Sequence, residues 1–314
     1  AVIQFHLKAP LTNPLLRFTD SRGTVVREVT IPNNQNAAGI QVACWDQRVA
    51  PIPASFTPPP GGGGGGGGGG QSGPRPIPGV PVPLPEVGYK PENPCAPPQG
   101  QGGGGGGGGF GGFGGGNLGP MVAPGSYTVA LVSDGKVVDT KPLTIVMDPM
   151  VQLTGAARAR YDAIVMELHE AHRRGAEAAR PLTALFTEMT RTAARVDSSA
   201  APADVKARFA DLRKEFDALR PRFGIGAPQG GFGGGGGGGA AAQAAQAANV
   251  LGRLSTIKGA IMGIWETPSE ASIAQGNAAR TALAAAVNEA NAFLTKARAM
   301  ATTLQSFGVT MTVQ

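Results

Sequence analysis

The sequence predicts an α+β chain: an antiparallel β-sandwich followed by an antiparallel helical bundle, with glycine- and proline-rich inserts. Three observations carry this. Apolar residues alternate with a period of two up to about residue 50 and again over 120–149, the mark of strands with one buried face. From Thr154 onward they recur every three or four residues, the mark of helices. Between them, most of the 50 glycines and 27 prolines gather in tracts that neither period reaches.

The strand material runs in order. Ile3, Phe5 and Leu7 alternate with Gln4 and His6, and Leu15 to Thr19 follows as a second strand. Asp20 to Gly23 is a turn, Thr24 to Ile31 returns, and Pro32 with the Asn-rich Asn33–Asn36 stops it. Gly39 to Trp45 is next, with Asp46 at its end suited to capping a turn. Tyr127, Val129 and Leu131 share one face of the segment on which the rest is organised. Asp134-Gly135 then turns the chain at little steric cost, and Val137 to Asp148 returns with Leu143, Ile145 and Met147 on one face. A hairpin alone is unstable in water, so the N-terminal strands are its expected partner. The sandwich therefore spans 1–50 plus 120–149.

The insert, 51–119, contains Gly61–Gly70, a proline-rich stretch from Pro74 to Pro98, and Gly102–Gly109 with Phe110 and Phe113 behind it. A third run, Gly233–Gly239, follows Phe232 inside a loop at 224–239. Fixing glycine costs more backbone entropy than fixing any other residue, so ordered runs need neighbours. The expectation is extended strands lying on one another or flat on a partner; the alternative is linker. Phe110, Phe113 and Phe232 are candidate anchors, since a ring buries much area for little entropy, unless they fold back on their own domain.

In the helical part, 150–306, Tyr161, Ile164, Val165 and Leu168 open a helix that Pro181 is expected to kink or divide. Val205, Phe209, Leu212, Phe216 and Leu219 form a second, between Pro202 and Pro221. Ala240 to Gly263 is a third, facing inward through Val250, Leu251, Leu254, Ile257 and Ile261. Thr267-Pro-Ser-Glu270 reads as a capping box for the last, which buries Leu283, Val287, Leu294 and Leu304. The residues 307–314 read as an extended tail.

Composition excludes several functions. The net charge of +6 is dispersed, and the glycine runs carry almost no arginine, so nothing points to nucleic acid. No stretch of 18 apolar residues spans a membrane. Ala1 in place of Met suggests a trimmed or excerpted product. Of the two cysteines, Cys44 ends a strand and Cys95 lies in the insert. A bridge would pin the insert to the sheet, worth about 3–4 kcal/mol by loop closure; the alternative is one buried and one exposed thiol. His169 and His172 share a helix face and are weak metal candidates, but only His6 remains as a third imidazole and the His-Glu-x-x-His pattern is missing. Hydrogen-bonded or exposed helix histidines are the simpler reading. Asp211, Glu215 and Asp217 interleave with Arg208, Arg213 and Lys214 as surface pairs rather than a glycosidase acid and base. No serine sits in a nucleophile elbow and no glycine run ends as a phosphate loop. No cofactor is implied.

Four segments follow a recurrent order: Leu16 to Arg27, Gly39 to Asp46, Pro124 to Leu131, and Leu143 to Pro149. A run Tyr161-Asp-Ala-Ile-Val-Met-Glu-Leu-His-Glu170 comes next. Together they resemble the C-terminal region of bacterial secreted proteins with sortilin-like or BNR-repeat β-propellers. The resemblance implies an immunoglobulin-like or FlgD-like sandwich ahead of the helices, and a periplasmic or extracellular setting. The propeller itself is missing, so any glycosidase activity stays with it. The expected function is a non-catalytic docking module that binds other protein subunits. Two alternatives stand beside it: an accessory subunit on the periplasmic face of a membrane complex, such as an energy-converting one, and an accessory region of a propeller-type glycosidase.

Overall fold

A computed structural model describes residues 1–53, 117–151, 153, 155–226, 244 and 247–314. The expectations for Cys95, Phe110, Phe113, Phe232 and the three glycine runs lie outside the described residues. The fold is mixed α+β, with two small antiparallel sheets and four α-helices among these residues. Among the described residues no helix is long and apolar enough to cross a membrane.

Strands β1 (Val2–Leu7) and β4 (Gly39–Cys44) pair with each other. Strands β2 (Leu15–Asp20), β3 (Val25–Thr30), β5 (Gly125–Ser133) and β6 (Lys136–Ile145) form the second sheet in the order β3-β2-β5-β6. The β5–β6 turn is made by Asp134 and Gly135, both at positive φ (48° and 77°), which matches the twist of the flanking strands. Leu16 and Phe18 from one sheet, Ala43 from the other, and Trp45 just beyond β4 meet in one apolar cluster with Tyr127. Trp45 stacks on Phe18 with ring centroids 4.1 Å apart, and its indole Nε1 donates to the Arg48 carbonyl. Asp46 caps the next turn by accepting from the Arg48 N–H.

Helix α1 spans Gly155–Ser198 without division, although Pro181 lies inside it. The missing N–H and ring clash cost about 3 kcal/mol in a helix interior. Ala179, Leu182 and Leu185, all buried in the bundle core, hold the helix across that point. Helix α2 (Ala203–Leu219) ends in a single 3₁₀ turn closed by Gly224 at φ 71°. Helix α3 is Val250–Met262, capped where the Asn249 side chain accepts from the Gly252 N–H; residues 240–243, where the expected helix opens, lie outside the described residues. Helix α4 (Glu270–Gln305) is capped by Ser269, not Thr267: the Ser269 hydroxyl accepts the Ser272 N–H at 3.2 Å.

The bundle is not the expected set of four antiparallel helices. The pairs Arg160–Glu270 and Glu167–Arg280 climb α1 and α4 together, so these two run parallel. The pairs Glu215–Lys296 and, in the turn just past α2, Arg222–Glu289 run the opposite way, so α2 is antiparallel to α4. Leu251 packs on Gly175 while Tyr161 donates to the Ile261 carbonyl, so α3 also runs against α1. Helices of 17 and 13 residues cannot each cover a 44-residue neighbour. Set end to end they form one interrupted column, which buries the apolar stripes of all four. On α2 Arg208 does pair i, i+4, with Asp204, whereas Glu215 reaches Lys296 and Asp217 takes Arg220. The tail covers the far end of the bundle, with Val309 and Met311 buried.

Gly175 sits where this packing is tightest. A Cβ there would lie 2.7 Å from Leu251 Cδ1 and 2.8 Å from Leu283 Cδ2. Gly175→Val should cost about 1–3 kcal/mol as α3 and α4 are pushed away from α1. Urea unfolding checks this, and an unchanged midpoint would contradict the packing.

Candidate functional site

The chain leaves the sheets through Arg48–Pro53 and returns through Asn117–Val122. These two limbs pair as an antiparallel neck. Val49 donates its N–H to the Pro120 carbonyl, Ile52 to Asn117 and Val122 to Gln47, at 2.8–2.9 Å. Ala50 donates to Val26 O, tying the neck to the edge of β3. Gly119 is required at the closest crossing, since a Cβ would fall 2.1 Å from the Val49 oxygen. Pro51 to Pro53 and Asn117 to Gly119, inside the insert as bounded by composition, are thus its built root.

Both limbs are fastened to the helices by one buried polar pair. His169 on α1 places Nε2 3.1 Å from the Ala50 carbonyl oxygen. Lys258 on α3 places Nζ 3.1 Å from the Leu118 carbonyl oxygen and 3.1 Å from His169 Nδ1. A carbonyl only accepts, so Nε2 carries the proton and donates to Ala50; Nδ1 then accepts from the lysine. This is the neutral imidazole. Burial, then the nearby Lys258 charge, lowers the His169 pKa to about 4. Desolvation lowers the Lys258 pKa to about 7, its side chain having no exposed surface.

A cleft of about 340 Å³ opens beside the neck, lined by Val26, Ala50, Ile52, Met166 and His169. Its rim carries Arg173, held between Glu170 and Glu177. The hydrogen bond from Arg173 holds the Glu170 carboxyl below the usual range.

A second joint lies further down α1. Arg158, nearly buried, pairs with Asp162 and lies 5.0 Å from the centroid of the Trp265 ring. It also donates to Met147 Sδ at 3.2 Å, joining the end of the sheet region to the start of the bundle.

The two histidines singled out by spacing, His169 and His172, are both buried on α1. His169 has both ring nitrogens engaged by protein atoms, and His6 lies away on β1. Among the described residues no group of three or more His, Cys, Asp or Glu is placed to hold a metal ion. Cys44 closes β4 and is a disulfide cysteine; Cys95 lies outside the described residues. Spacing did not single out Lys258 or Arg158. The signal for Lys258 was present: it falls at the inward positions Leu251, Leu254, Lys258 and Ile261, the one charge on an apolar stripe.

No family model, curated protein or solved structure matches the chain.

Proposed function

We propose that the chain is a non-catalytic docking module of an extracytoplasmic bacterial assembly, a rigid body that holds its glycine- and proline-rich insert toward protein partners. The two sheets would be the immunoglobulin-like or FlgD-like sandwich of the propeller-tail proteins that the sequence resembles, used without the propeller. The observation that carries the reading is the neck. Ile52 and Asn117 bond across the root of the insert, and His169 and Lys258 fasten both limbs to two helices. Burying a lysine against a histidine is costly. That expense is consistent with a demand for a fixed exit direction, which a plain linker does not have. The insert's sequence then supplies a proline-rich stretch and the rings of Phe110 and Phe113, residue types suited to low-entropy protein contact.

The test places a photoreactive residue at Phe110 or Phe113 in the full chain and crosslinks in the native host. One reproducible protein partner is expected, and its co-purification with the chain, read without the crosslinker, should be lost when residues 54–116 are replaced by a short Gly-Ser linker. Crosslinks confined to the chain itself, or a partner retained after replacement, would refute the reading.

A further inference from the structure

The His169–Lys258 pair holds the neck through an arrangement that only a neutral imidazole can make. Nδ1 must keep a lone pair to accept from Lys258 Nζ at 3.1 Å while Nε2–H serves Ala50. A second proton turns Nδ1 into a donor aimed at a donor, and sets two cations in contact where both side chains are buried. The groups facing the imidazole do little to offset this. On α3 there is Lys258 itself. On α1, Glu170 is engaged with Arg173, and His172 is buried one turn on. From the described residues of the neck comes the Ala50 carbonyl, and across the cleft on the sheet side Asp20 is bonded to Arg22.

We propose that the neck is an acid-sensitive latch: protonation of His169 frees the Ala50 and Leu118 limbs from α1 and α3 and so loosens the root of the docking insert. This rests on the clamped-neck reading above and adds its regulation. The chemistry asks for no co-reactant, only a proton from solvent.

The sign follows from linkage. His169 has a folded value near 4 against an ordinary 6.5, so the latched state is favoured above 6.5 and loses ground as the pH falls toward 4. Between pH 6.5 and 5 the opening equilibrium should rise roughly 15-fold, a window in which Lys258 is already mostly charged in both states.

The experiment is amide hydrogen exchange on the full chain at pH 6.5 and 5, corrected for intrinsic rates. The amides of Val49 and Ile52 report the neck, and those of the β2–β5 ladder serve as reference. Neck protection is expected to drop roughly 15-fold while the ladder keeps its protection. In His169→Gln, which can donate to Ala50 but does not titrate, the drop should vanish. Neck protection that holds at pH 5, or that falls in step with the ladder, overturns the latch and leaves the clamped neck intact. A neck unprotected already at pH 6.5 overturns the clamp and the latch together. If His169→Gln does not fold, the wild-type comparison decides alone.

Discussion

Lys258→Ala should lose about 3–5 kcal/mol of unfolding free energy, whereas Lys258→Met should stay within about 1–2 kcal/mol of the wild type at neutral pH. Alanine removes the stem and leaves a cavity among α1, α3 and the neck, with Leu118 O and His169 Nδ1 both unpartnered. Methionine refills that space. It still leaves two acceptors unmet, at about 1–3 kcal/mol each. Against this it lifts the burden of a buried ammonium. The Lys258 pKa falls from 10.5 to about 7, on the order of 4 kcal/mol at neutral pH. The same shift fixes the pH dependence. A lowered lysine pKa favours the folded state above 10.5, and that advantage is lost as the pH falls to about 7. Wild-type stability should therefore rise from pH 7 toward 10, and the Lys258→Met curve should be flatter by that amount. Denaturant titrations across this range read both effects. Parallel curves for wild type and Lys258→Met would show that the amine is hydrated, not buried.

Trp45→Ala should cost about 3–5 kcal/mol, concentrated in the sheet region. The indole is 2 % exposed, stacks on Phe18, meets Tyr127 edge-on at 6.3 Å and bonds the Arg48 carbonyl. It therefore joins the core between the sheets to the start of the neck. Trp265, the only other tryptophan, sits against Arg158 and Tyr161 at the bundle. In Trp45→Ala its fluorescence reports the helices alone, while backbone dichroism reports both parts. A loss below about 1 kcal/mol would contradict a shared core between the two sheets.

Much of this fold was legible in the residues. Alternation located the strands to within three residues, the largest miss being the end of β6 at Ile145 rather than Asp148. Asp134-Gly135 marked the hairpin because positive φ at two successive positions demands such residues. Helix direction was not legible. Nothing local says that α2 and α3 stack end to end, because that follows from matching two short helices to two long ones. Pro181 does not divide α1 for a related reason: its local cost is real, yet the buried residues on either side outweigh it. The site was half readable. His169 drew attention through its spacing from His172, as a metal candidate, whereas its partners come from residues 50 and 258, far apart in sequence. Lys258 was visible only as a charge out of place on an apolar stripe. The neck was hidden because Ala50, Leu118 and Gly119 act through backbone atoms, which composition does not reveal.

The central claim is that a neutral His169 bridges the neck and Lys258. Nitrogen-15 correlation spectra of the histidine rings across pH 8 to 4 test it most directly. The account predicts a His169 ring that keeps its proton on Nε2 and its lone pair on Nδ1 down to about pH 5, taking a second proton only near pH 4. A ring that titrates near 6.5 like a free imidazole, or that carries its neutral proton on Nδ1, would contradict the clamp.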